Sequence, residues 1–402
     1  MLTTINSTKI ESNEAQSSQQ KEISTTRNFA VILDQMAGAI GGAESILFAL
    51  YEIMPNIPAF TTVLDQSIIP EKYKNKSIYT SLIQKLPFAK QIYKAYLPIM
   101  PFAVEMMDVQ KYDVIFSSHH CVAKGIIPRP DAVHICYCHS PARYIWDMFW
   151  TYTELNGFNF IKKIITGLIS HYFRIWDSAC SNRVDLFLAN SNYTAARIKN
   201  FYNREAYVLY PPVDTNKFKH EEYGDYYLMV GRLVAYKGYE LAIEAFNKTG
   251  KKLVIIGDGA EYKKLRSLAK ENIKMVGKVS DETLIKYMNN AKGFIFPGKE
   301  DFGIVMVEAQ SAGKPVIAFK AGGALDIVQD NKTGILFEEQ TANSLNDAIL
   351  RSELNDWDSK YIWTHAKKFD KEIFKSHLKY ILENANKFKR NNYIKNIDEI
   401  YN

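Results

Sequence analysis

Short apolar runs alternate with amphipathic segments along most of the chain. The first run is residues 29–33 (FAVIL), and the last is residues 333–337 (TGILF). Apolar runs of this length, bounded by Gly, Pro, Asn or Asp, predict parallel strands that are buried on both faces. The amphipathic segments between them predict helices. The pattern therefore predicts repeated strand–helix units and an α/β fold with parallel sheets.

Chain length and a proline pair divide this pattern into two parts. At 402 residues the chain is too long for one ordinary core, which predicts two domains. The pair at 211–212 precedes a polar, charged run, and we place the domain boundary there. The predicted parts are a polar, disordered tail (1–26), a first domain (27–212), a second domain (213–370) and a C-terminal helix (371–402).

Composition and charge exclude several classes of protein. Hydrophobic content of 47% and charged content of 23% are typical of a soluble globular protein. The formal charge of +6 is modest for this length, so the chain is not predicted to bind nucleic acid. No apolar stretch reaches the ~18 residues of a membrane span. The N-terminus carries no signal-peptide core. We therefore expect a cytoplasmic protein, peripheral at the inner face of the cytoplasmic membrane.

The four cysteines do not form a recognisable metal or disulfide pattern. They are Cys121, Cys136, Cys138 and Cys180, three of them in or beside apolar runs. No pair has zinc-site spacing, and Cys-x-Cys-His is a weak metal signal. The sequence predicts buried free thiols in a reducing compartment.

The segment 299–319 (KEDFGIVMVEAQSAGKPVIAF) carries two carboxylates eight positions apart, Glu300 and Glu308. The apolar runs on either side predict buried strands, and the piece between them predicts a helix. Backbone N–H groups at such a helix start are free to meet an anion or sugar hydroxyls, and carboxylates accept bonds from hydroxyls. The alternative is a capped strand–loop–helix unit with two solvated glutamates.

Polar loops follow the predicted strands of the first domain. Gly41-Gly42 follows the first strand, but the spacing is not Gly-x-Gly-x-x-Gly, so a dinucleotide fingerprint is absent. His120 and His139 each follow a later strand, and His139 precedes Arg143, Tyr144 and Asp147. A single histidine is more often structural than functional. In a doubly wound sheet, however, all these loops lie at the carboxyl edge, where ligands bind.

A pair of cations follows the first strand of the second domain. Arg232 and Lys237 stand five positions apart in GRLVAYKG. Arg binds a diphosphate with its planar fork and Lys as a point charge, so together they can clamp one. Ordinary surface charge is the alternative interpretation.

Together these motifs resemble those of the retaining glycosyltransferases of family 4, which have the GT-B fold. The resemblance covers roughly 28–382 and rests on Glu-x7-Glu with its EDFG and AGKPVIA flanks, on GGAE and on CYCHSPARYIWD. The last string resembles bacterial mannosyltransferases that assemble O-antigens (lipopolysaccharide), capsules and exopolysaccharides. The resemblance implies two Rossmann-like, doubly wound parallel-sheet domains facing across a cleft. One departure is Met306, where that branch usually has Pro.

The resemblance also implies the roles of individual residues. Arg232 and Lys237 would hold the donor's diphosphate and offset the charge that develops on it. Glu308 would bind the ribose, Glu300 the transferred sugar, and His139 would lie near the anomeric centre. The implied catalytic residues are His139, Arg232, Lys237 and Glu300. The implied donor-binding residues are Gly41, Gly42, Arg232, Lys237, Val279, Glu300, Phe302, Gly303, Ile304, Val305 and Glu308. The implied acceptor-side residues are His120, Arg143, Tyr144 and Asp147.

The reaction implied by the resemblance needs no cofactor. No Asp-x-Asp stands in a metal-holding context, and the two cations could neutralise the diphosphate, so we expect no metal. A double displacement would need a carboxylate nucleophile on the opposite face of the sugar, and the sequence nominates none. The family expectation is a same-face substitution assisted by the leaving phosphate.

Two segments of the first domain bear on the acceptor. Residues 71–97 carry six lysines and one glutamate among apolar and aromatic residues at helical spacing, interrupted by Pro87. This pattern suits either an anionic membrane surface or a helix packed on the domain. Many family members use polyprenyl-linked acceptors, which favours membrane contact. Residues 161–183 predict an amphipathic helix that packs on the protein.

The sequence thus predicts a retaining glycosyltransferase that moves a hexose, mannose from GDP-mannose, to a lipid-linked oligosaccharide. No residue by itself distinguishes GDP from UDP, so a transferase using another nucleotide sugar stays open. A GT-B nucleotide-sugar epimerase would share the same carboxylates and cations. A non-catalytic scaffold would be expected to have lost Arg232, Lys237 or Glu300, and all three are present.

Overall fold

The computed structural model describes residues 27–38, 41–155, 157–219 and 223–389. The predicted tail (1–26) and residues 390–402 of the predicted C-terminal helix lie outside these ranges. Within them, two sheets are present and every strand pairing is parallel. The predicted fold class, two Rossmann-like parallel-sheet domains, is confirmed.

The first domain is built on a sheet of seven strands in the order β3-β2-β1-β4-β5-β6-β7. Its strands are β1 Phe29–Leu33, β2 Ala59–Thr61, β3 Ile78–Thr80, β4 Val114–His119, β5 Val133–Cys138, β6 Leu186–Ala189 and β7 Ala206–Val208. Its helices are α1 Gly42–Ile53, α2 Ala89–Ile92, α3 Met100–Glu105, α4 Phe149–Leu155, α5 Phe160–Cys180 and α6 Asn192–Tyr202.

The second domain is built on a sheet of six strands in the order β10-β9-β8-β11-β12-β13. Its strands are β8 Tyr227–Val230, β9 Leu253–Ile256, β10 Ile273–Gly277, β11 Gly293–Phe296, β12 Val316–Phe319 and β13 Gly334–Phe337. The later helices are α7 Tyr239–Thr249, α8 Tyr262–Leu268, α9 Asp281–Asn289, α10 Ile304–Ser311, α11 Ala324–Ile327, α12 Ala342–Leu354, α13 Ser359–Ala366 and α14 Lys371–Glu383.

Both faces of each sheet are buried, which explains the uninterrupted apolar strands. In β1, Phe29, Val31 and Leu33 join one core cluster, while Ala30 and Ile32 join another. Successive side chains of a strand point to opposite faces, so a strand covered on both sides must be apolar at every position. The second sheet is likewise covered by two clusters.

Helix α14 packs on the first domain although it follows the second domain in the chain. Phe374, Leu378 and Ile381 lie in the core cluster that contains β1. Lys375 Nζ lies 3.1 Å from Glu52 Oε2 of α1. The chain leaves the first domain at Val213 and returns beside it, where Lys371 N donates to Val213 O over 2.9 Å. Two chain segments therefore connect the two domains.

The basic stretch 71–97 is not one amphipathic helix. It contains edge strand β3 and short helical turns, including the four-residue α2. Ser81 accepts the N–H of Ile83 and begins a separate turn. Pro87 removes one backbone donor, and Phe88 has φ of 52°, outside the helical region. The apolar residues with helical spacing follow β3 and lie on or beside these short turns, which do not join into one helix.

Candidate functional site

The loops that leave the strands of both sheets meet across a cleft. A Cβ built on Gly42, at the start of α1, would lie 3.2 Å from Ile304 Cδ1, at the start of α10. Arg143 Nη2 of the first domain lies 2.5 Å from Asp301 Oδ2 of the second. Ser191 Oγ donates to the backbone oxygen of Asp301 over 2.5 Å. The structure thus brings the predicted loops of the two domains together at one place.

Lys237 and Glu300 form an ion pair on the second-domain side of the cleft. Their Nζ and Oε1 atoms are 2.8 Å apart, and both side chains are mostly buried. The loop after β8 and the loop after β11 touch here, because a Cβ at Gly298 would lie 2.7 Å from Lys237 Cα. Glycine at 298 permits the approach that pairs this cation with this carboxylate.

Arg232 lies at the same edge but is exposed. It forms no ion pair with another residue in the described ranges. Burial raises the pKa of Tyr93 and of Tyr152, two first-domain residues, and the nearby charge of Arg232 opposes that rise in both. The charge of Arg232 therefore acts on groups of the first domain, and its exposed guanidinium is accessible to an anion.

Helix α10 begins at the floor of the cleft, beside this pair. Its N-cap is Gly303, with φ of 95°, a value that favours glycine. The first N–H groups of a helix have no partner within it, so those at Ile304 and Val305 can meet a ligand. Phe302 is buried between the two connecting segments, against the rings of Tyr210 and Phe369.

Met306 is fully buried. Its Cε atom lies where a Cβ on Gly303 would approach to 2.5 Å. The residue that departs from the family pattern therefore packs under the turn and takes no part in the open side of the cleft.

Glu308 lies one turn further along α10. Burial raises the pKa of its carboxyl above the usual range, Lys217 opposes this, and Asp281 adds to it. Its side chain makes no hydrogen bond with any other residue that the structure describes. Val279 precedes Asp281 in the loop before α9, so the structure brings Glu308 and Val279 into one neighbourhood, separate from Lys237.

The histidines at the first-domain edge are mostly neutral. His139 Nε2 lies 2.8 Å from Ser118 Oγ. Burial, with the neighbouring charge of His120, lowers the pKa of His139 to about 3. Burial also lowers the pKa of His119 to about 3. A neutral His139 can donate or accept a hydrogen bond at the cleft, but it brings no charge at neutral pH.

Asp34 organises this edge, and our sequence analysis did not single it out. Its carboxylate accepts the four backbone N–H groups of residues 120–123 at 2.5–3.0 Å. His120 Nδ1 lies 2.8 Å from the same carboxylate. Burial raises the pKa of Asp34, but His120 and the hydrogen bonds lower it far below the usual range. Burial lowers the pKa of His120, and Asp34 raises it above 6.5. The sequence did offer one signal for Asp34, because a carboxylate directly follows the apolar run of β1.

A charged cluster joins the domains beside Glu300. Asp301 binds Arg143 and, over 3.1 Å, Arg197, and Arg197 also pairs with Asp147 over 2.5 Å. Burial lowers the pKa of Arg143, but Asp301 and then Glu300 raise it above the usual value. Two predicted acceptor-side residues, Arg143 and Asp147, are thus engaged in this cluster. Sequence reasoning missed Asp301 and Arg197, because nothing local pairs residues so far apart.

A buried ion pair supports the loop that carries His139 and Arg143. Lys124 and Asp177 are both fully buried and form an ion pair. Asp177 Oδ2 also accepts from Trp146 Nε1 and from Tyr202 OH, each over 2.8 Å. Tyr144 turns its hydroxyl towards Cys121 Sγ, 2.8 Å away. Each of these contacts holds the loop against the first domain.

The sequence predicted free thiols, no metal site and no membrane-spanning segment. All four cysteines are buried and free, which confirms the prediction of free thiols. No group of three His, Cys, Asp or Glu side chains within the described ranges is placed to hold a metal ion. Every helix in the part of the chain that the structure describes is too short or too polar to cross a bilayer.

Two family models match the chain in consecutive segments. The model described as Glycosyltransferase Family 4 matches residues 41–217. The model described as Glycosyl transferases group 1 matches residues 212–376. Together they cover most of the chain. The chain thus contains consecutive segments similar to both of these glycosyltransferase families.

Two known glycosyltransferases match parts of this chain at about 30% identity. An uncharacterized glycosyltransferase of Methanocaldococcus jannaschii is 30% identical over 47% of this chain and 55% of its own length. A GDP-mannose-dependent alpha-(1-6)-phosphatidylinositol monomannoside mannosyltransferase of Mycobacterium tuberculosis is 31% identical over 40% of this chain and 50% of its own length. The matching parts of the chain thus span about half the length of these relatives.

The fold has clear counterparts among solved structures. HepE of Anabaena, solved in complex with UDP and glucose, superposes with a TM-score of 0.64 at 16% identity. The superposition covers 89% of this chain and 100% of that one. At this identity the likeness is informative about the fold alone, and it confirms the predicted GT-B architecture.

Proposed function

We propose that this glycosyltransferase transfers mannose, with retention, from GDP-mannose to a lipid-linked oligosaccharide in surface polysaccharide assembly. The observation that carries the proposal is the joint placement of Arg232, the Lys237–Glu300 pair and the start of α10 at one edge of the cleft. A diphosphate needs cations and N–H donors, and a hexose needs acceptors for its hydroxyls. This edge provides both within a few residues.

Each group has a proposed part in the transfer. Arg232 is exposed, so its fork can take the diphosphate without first breaking an ion pair. Lys237 would share its charge between the diphosphate and Glu300, and Glu300 would accept hydrogen bonds from the sugar hydroxyls. Charge that develops on the leaving diphosphate would be offset by cations already in place, which is the dominant source of catalysis in many enzymes.

The opposite side of the cleft would hold the sugar and the acceptor. A neutral His139 near the anomeric centre would form hydrogen bonds without adding a cation to a site that stabilises positive charge on the sugar. The Gly41-Gly42 loop, facing Ile304, would approach the phosphates or the acceptor. Glu308 stands apart from Lys237 and its carboxylate is free of other side chains, which suits the two ribose hydroxyls of a nucleotide.

Mannose and GDP are supported by the similarity to the Mycobacterium tuberculosis relative, which is named as a GDP-mannose-dependent mannosyltransferase. The second candidate is transfer from a UDP-sugar, favoured by the fold's likeness to HepE, which was solved with UDP and glucose. The polar groups of the donor edge suit either donor, since they address the diphosphate, the ribose and the sugar.

Thermal shift with GDP, UDP, ADP and their mannose or glucose conjugates, without divalent metal, tests the donor. A ligand that binds only the folded state raises the midpoint by mass action. We expect selective stabilisation by GDP and GDP-mannose, lost in Lys237→Ala. Lys248→Ala, which removes an exposed lysine on α7 with its own i,i+4 partner, is the matched control. Selective stabilisation by UDP compounds would replace the mannose proposal with the UDP-sugar one.

Product analysis separates transfer from epimerisation. With GDP-mannose and a polyprenyl-linked oligosaccharide, transfer yields free GDP and an extended acceptor in equal amounts. An epimerase changes the nucleotide sugar with no acceptor present, and that result would sink the transferase proposal.

A further inference from the structure

Helix α5 has an apolar face that no other described residue covers. Seven of its large apolar side chains are between 48% and 78% exposed. They are Phe160, Ile161, Ile164, Ile165, Leu168, Tyr172 and Ile175. Their spacing of three and four residues places them on one stripe. The opposite stripe, with Phe173, Asp177 and Cys180, is buried against the first domain. The expectation that this helix simply packs on the protein therefore accounts for only one of its two apolar faces.

The exposed stripe continues onto neighbouring helices. Trp176 Nε1 donates to Glu105 Oε1 over 3.0 Å, which sets α5 beside α3. Next to Glu105, Phe102 and Met106 of α3 are 55% and 62% exposed. On the other side, α4 packs near Gly167 and carries the exposed Trp150. Soluble monomers rarely expose apolar surface this extensive unless it is an interaction site.

The charge around this surface is mainly positive. Between Glu154 and Asp177 the chain has no acidic residue, and Asp177 is fully buried. Lys162 and Lys163 lie at the start of the stripe and form no ion pair within the described ranges. The segment that leads into α3 also lacks acidic residues from 72 to 104 while it carries six lysines. The nearby carboxylate of Glu105 is paired with Arg183 over 2.7 Å, whereas Lys162 and Lys163 beside the exposed apolar side chains are unpaired among the described residues.

We propose that the outer face of α5 docks on an anionic lipid bilayer. Apolar side chains would enter the interface between headgroups and acyl chains, and the flanking lysines would meet anionic headgroups. The helix would lie in the plane of the membrane, since its other face holds the buried charge of Asp177 against the protein. A second copy of this chain fits the surface less well, because both copies would carry the same positive charge.

The docked helix is mechanically joined to the acceptor side of the cleft. Asp177 holds Trp146, and Arg174 Nε donates to Ile145 O over 2.7 Å, so α5 carries the loop that contains Arg143. A bilayer under α5 would bring this loop close to a lipid-linked acceptor. That consequence rests on the proposed function, whereas docking itself does not. The docking proposal also assigns the main membrane contact to α5, and the lysines of segment 71–97 would contribute to it.

Sedimentation with vesicles tests the docking. The full chain is mixed with vesicles of phosphatidylglycerol and phosphatidylethanolamine, and separately with vesicles of phosphatidylcholine alone. We expect binding to the anionic vesicles, weakened by high salt, and at least tenfold weaker binding to the neutral ones. The double variant Ile164→Glu/Leu168→Glu should lose at least tenfold in affinity. Leu354→Glu, at a leucine of α12 that is 89% exposed, is the matched control and should bind like the wild type.

Substitution of Lys162 and Lys163 tests the electrostatic part of the docking proposal separately. Each of Lys162→Gln and Lys163→Gln should weaken binding to anionic vesicles by about fivefold at low salt and leave binding to neutral vesicles unchanged. Equal loss on both kinds of vesicle would contradict the electrostatic part of the proposal.

Sedimentation equilibrium and nucleotide binding separate the remaining outcomes. A wild-type dimer that Leu168→Glu splits, with no vesicle binding, would assign the surface to a second copy and overturn the proposal. A wild-type monomer that binds no vesicle would overturn it as well. Thermal shift with GDP-mannose runs in parallel, and the α5 variants should keep the wild-type response. Vesicle binding without any nucleotide-sugar response would leave docking intact and remove the proposed function; the reverse would remove docking alone.

Discussion

The two sides of the cleft are held in place by different means. On the second-domain side, the groups at Lys237, Glu300 and α10 are positioned by backbone that approaches closely through glycine. On the first-domain side, the loops are positioned by buried side chains, with Asp34 holding residues 120–123 and Asp177 holding Trp146. The second-domain side therefore depends on close backbone approaches at glycine, and the first-domain side on buried charged side chains.

This difference predicts that substitutions on the two sides will fail in different ways. On the first-domain side, removing a buried charge should destabilise the fold. On the second-domain side, removing a charge should leave the fold intact and remove donor binding and turnover.

The largest effect should come from Asp34→Ala. This change leaves the charge of His120 and four backbone N–H groups without their acceptor, so we expect a loss of about 3–5 kcal/mol in the free energy of unfolding. Urea denaturation measures it. Asp225→Ala, at an exposed carboxylate paired with Lys252, is the control and should unfold at nearly the same urea concentration as the wild type. A small effect at Asp34 would mean that the loop is held by other contacts.

Lys237→Ala should behave in the opposite way. If Lys237 stabilises charge on the leaving diphosphate, kcat should fall about 10²–10³-fold. A loss of this size is typical when an enzyme loses one group that stabilises charge in the transition state. The urea midpoint should move less than in Asp34→Ala, because Lys237 and Glu300 keep some exposure at the cleft whereas Asp34 is fully buried. Equal losses of activity and stability would show that Lys237 is mainly structural and would remove the proposed contrast.

Acidification should act through the first domain. Burial lowers the pKa of His119 and of His134 to about 3, against 6.5 ordinarily. The unfolded chain therefore binds these protons first as pH falls, so their contribution to stability is complete above pH 6.5 and is lost towards pH 3. The loss is up to about 1.4 kcal/mol per pH unit for each histidine. His120, whose pKa is raised, contributes with the opposite sign, since its stabilisation is lost as pH rises above 6.5.

Unfolding measured from pH 7 to pH 5 checks this dependence. His134→Asn should flatten the slope by up to about 1.4 kcal/mol per pH unit, while His171→Asn, at an exposed position on α5, should leave it unchanged. An unchanged slope in His134→Asn would mean that this histidine is already protonated in the folded protein.

The smallest of these effects should come from Asp301→Asn, which joins the two sides. The amide keeps the size of the side chain but loses the charge that faces Arg143 and Arg197. We expect about a tenfold loss in kcat/KM, or about 1.4 kcal/mol, because Asp301 directly follows Glu300 and helps to position it. Little change in stability is expected. Wild-type kinetics in this variant would mean that the position of Glu300 is independent of the contact between domains.

The strands were predictable because a parallel strand must be apolar on both faces. β1 and β11 lie where their apolar runs predict them, and the carboxylates Glu300 and Glu308 lie on the predicted loop and helix. The loops gathered at one edge because the carboxyl ends of parallel strands share that edge. Strand β3 within 71–97 was not predicted, because it forms by pairing with β2 at the edge of the sheet.

What the sequence alone determined was therefore local: the strand–helix order, the fold class and the candidate loops. Only the tertiary structure decided which charges meet, such as Asp34 with His120, Lys124 with Asp177, and Asp301 with Arg143 and Arg197. It also decided that α5 buries one apolar stripe and exposes the other. The physical reason is range: periodicity and turn chemistry act over a few residues, whereas ion pairs and burial depend on which distant elements the fold places side by side.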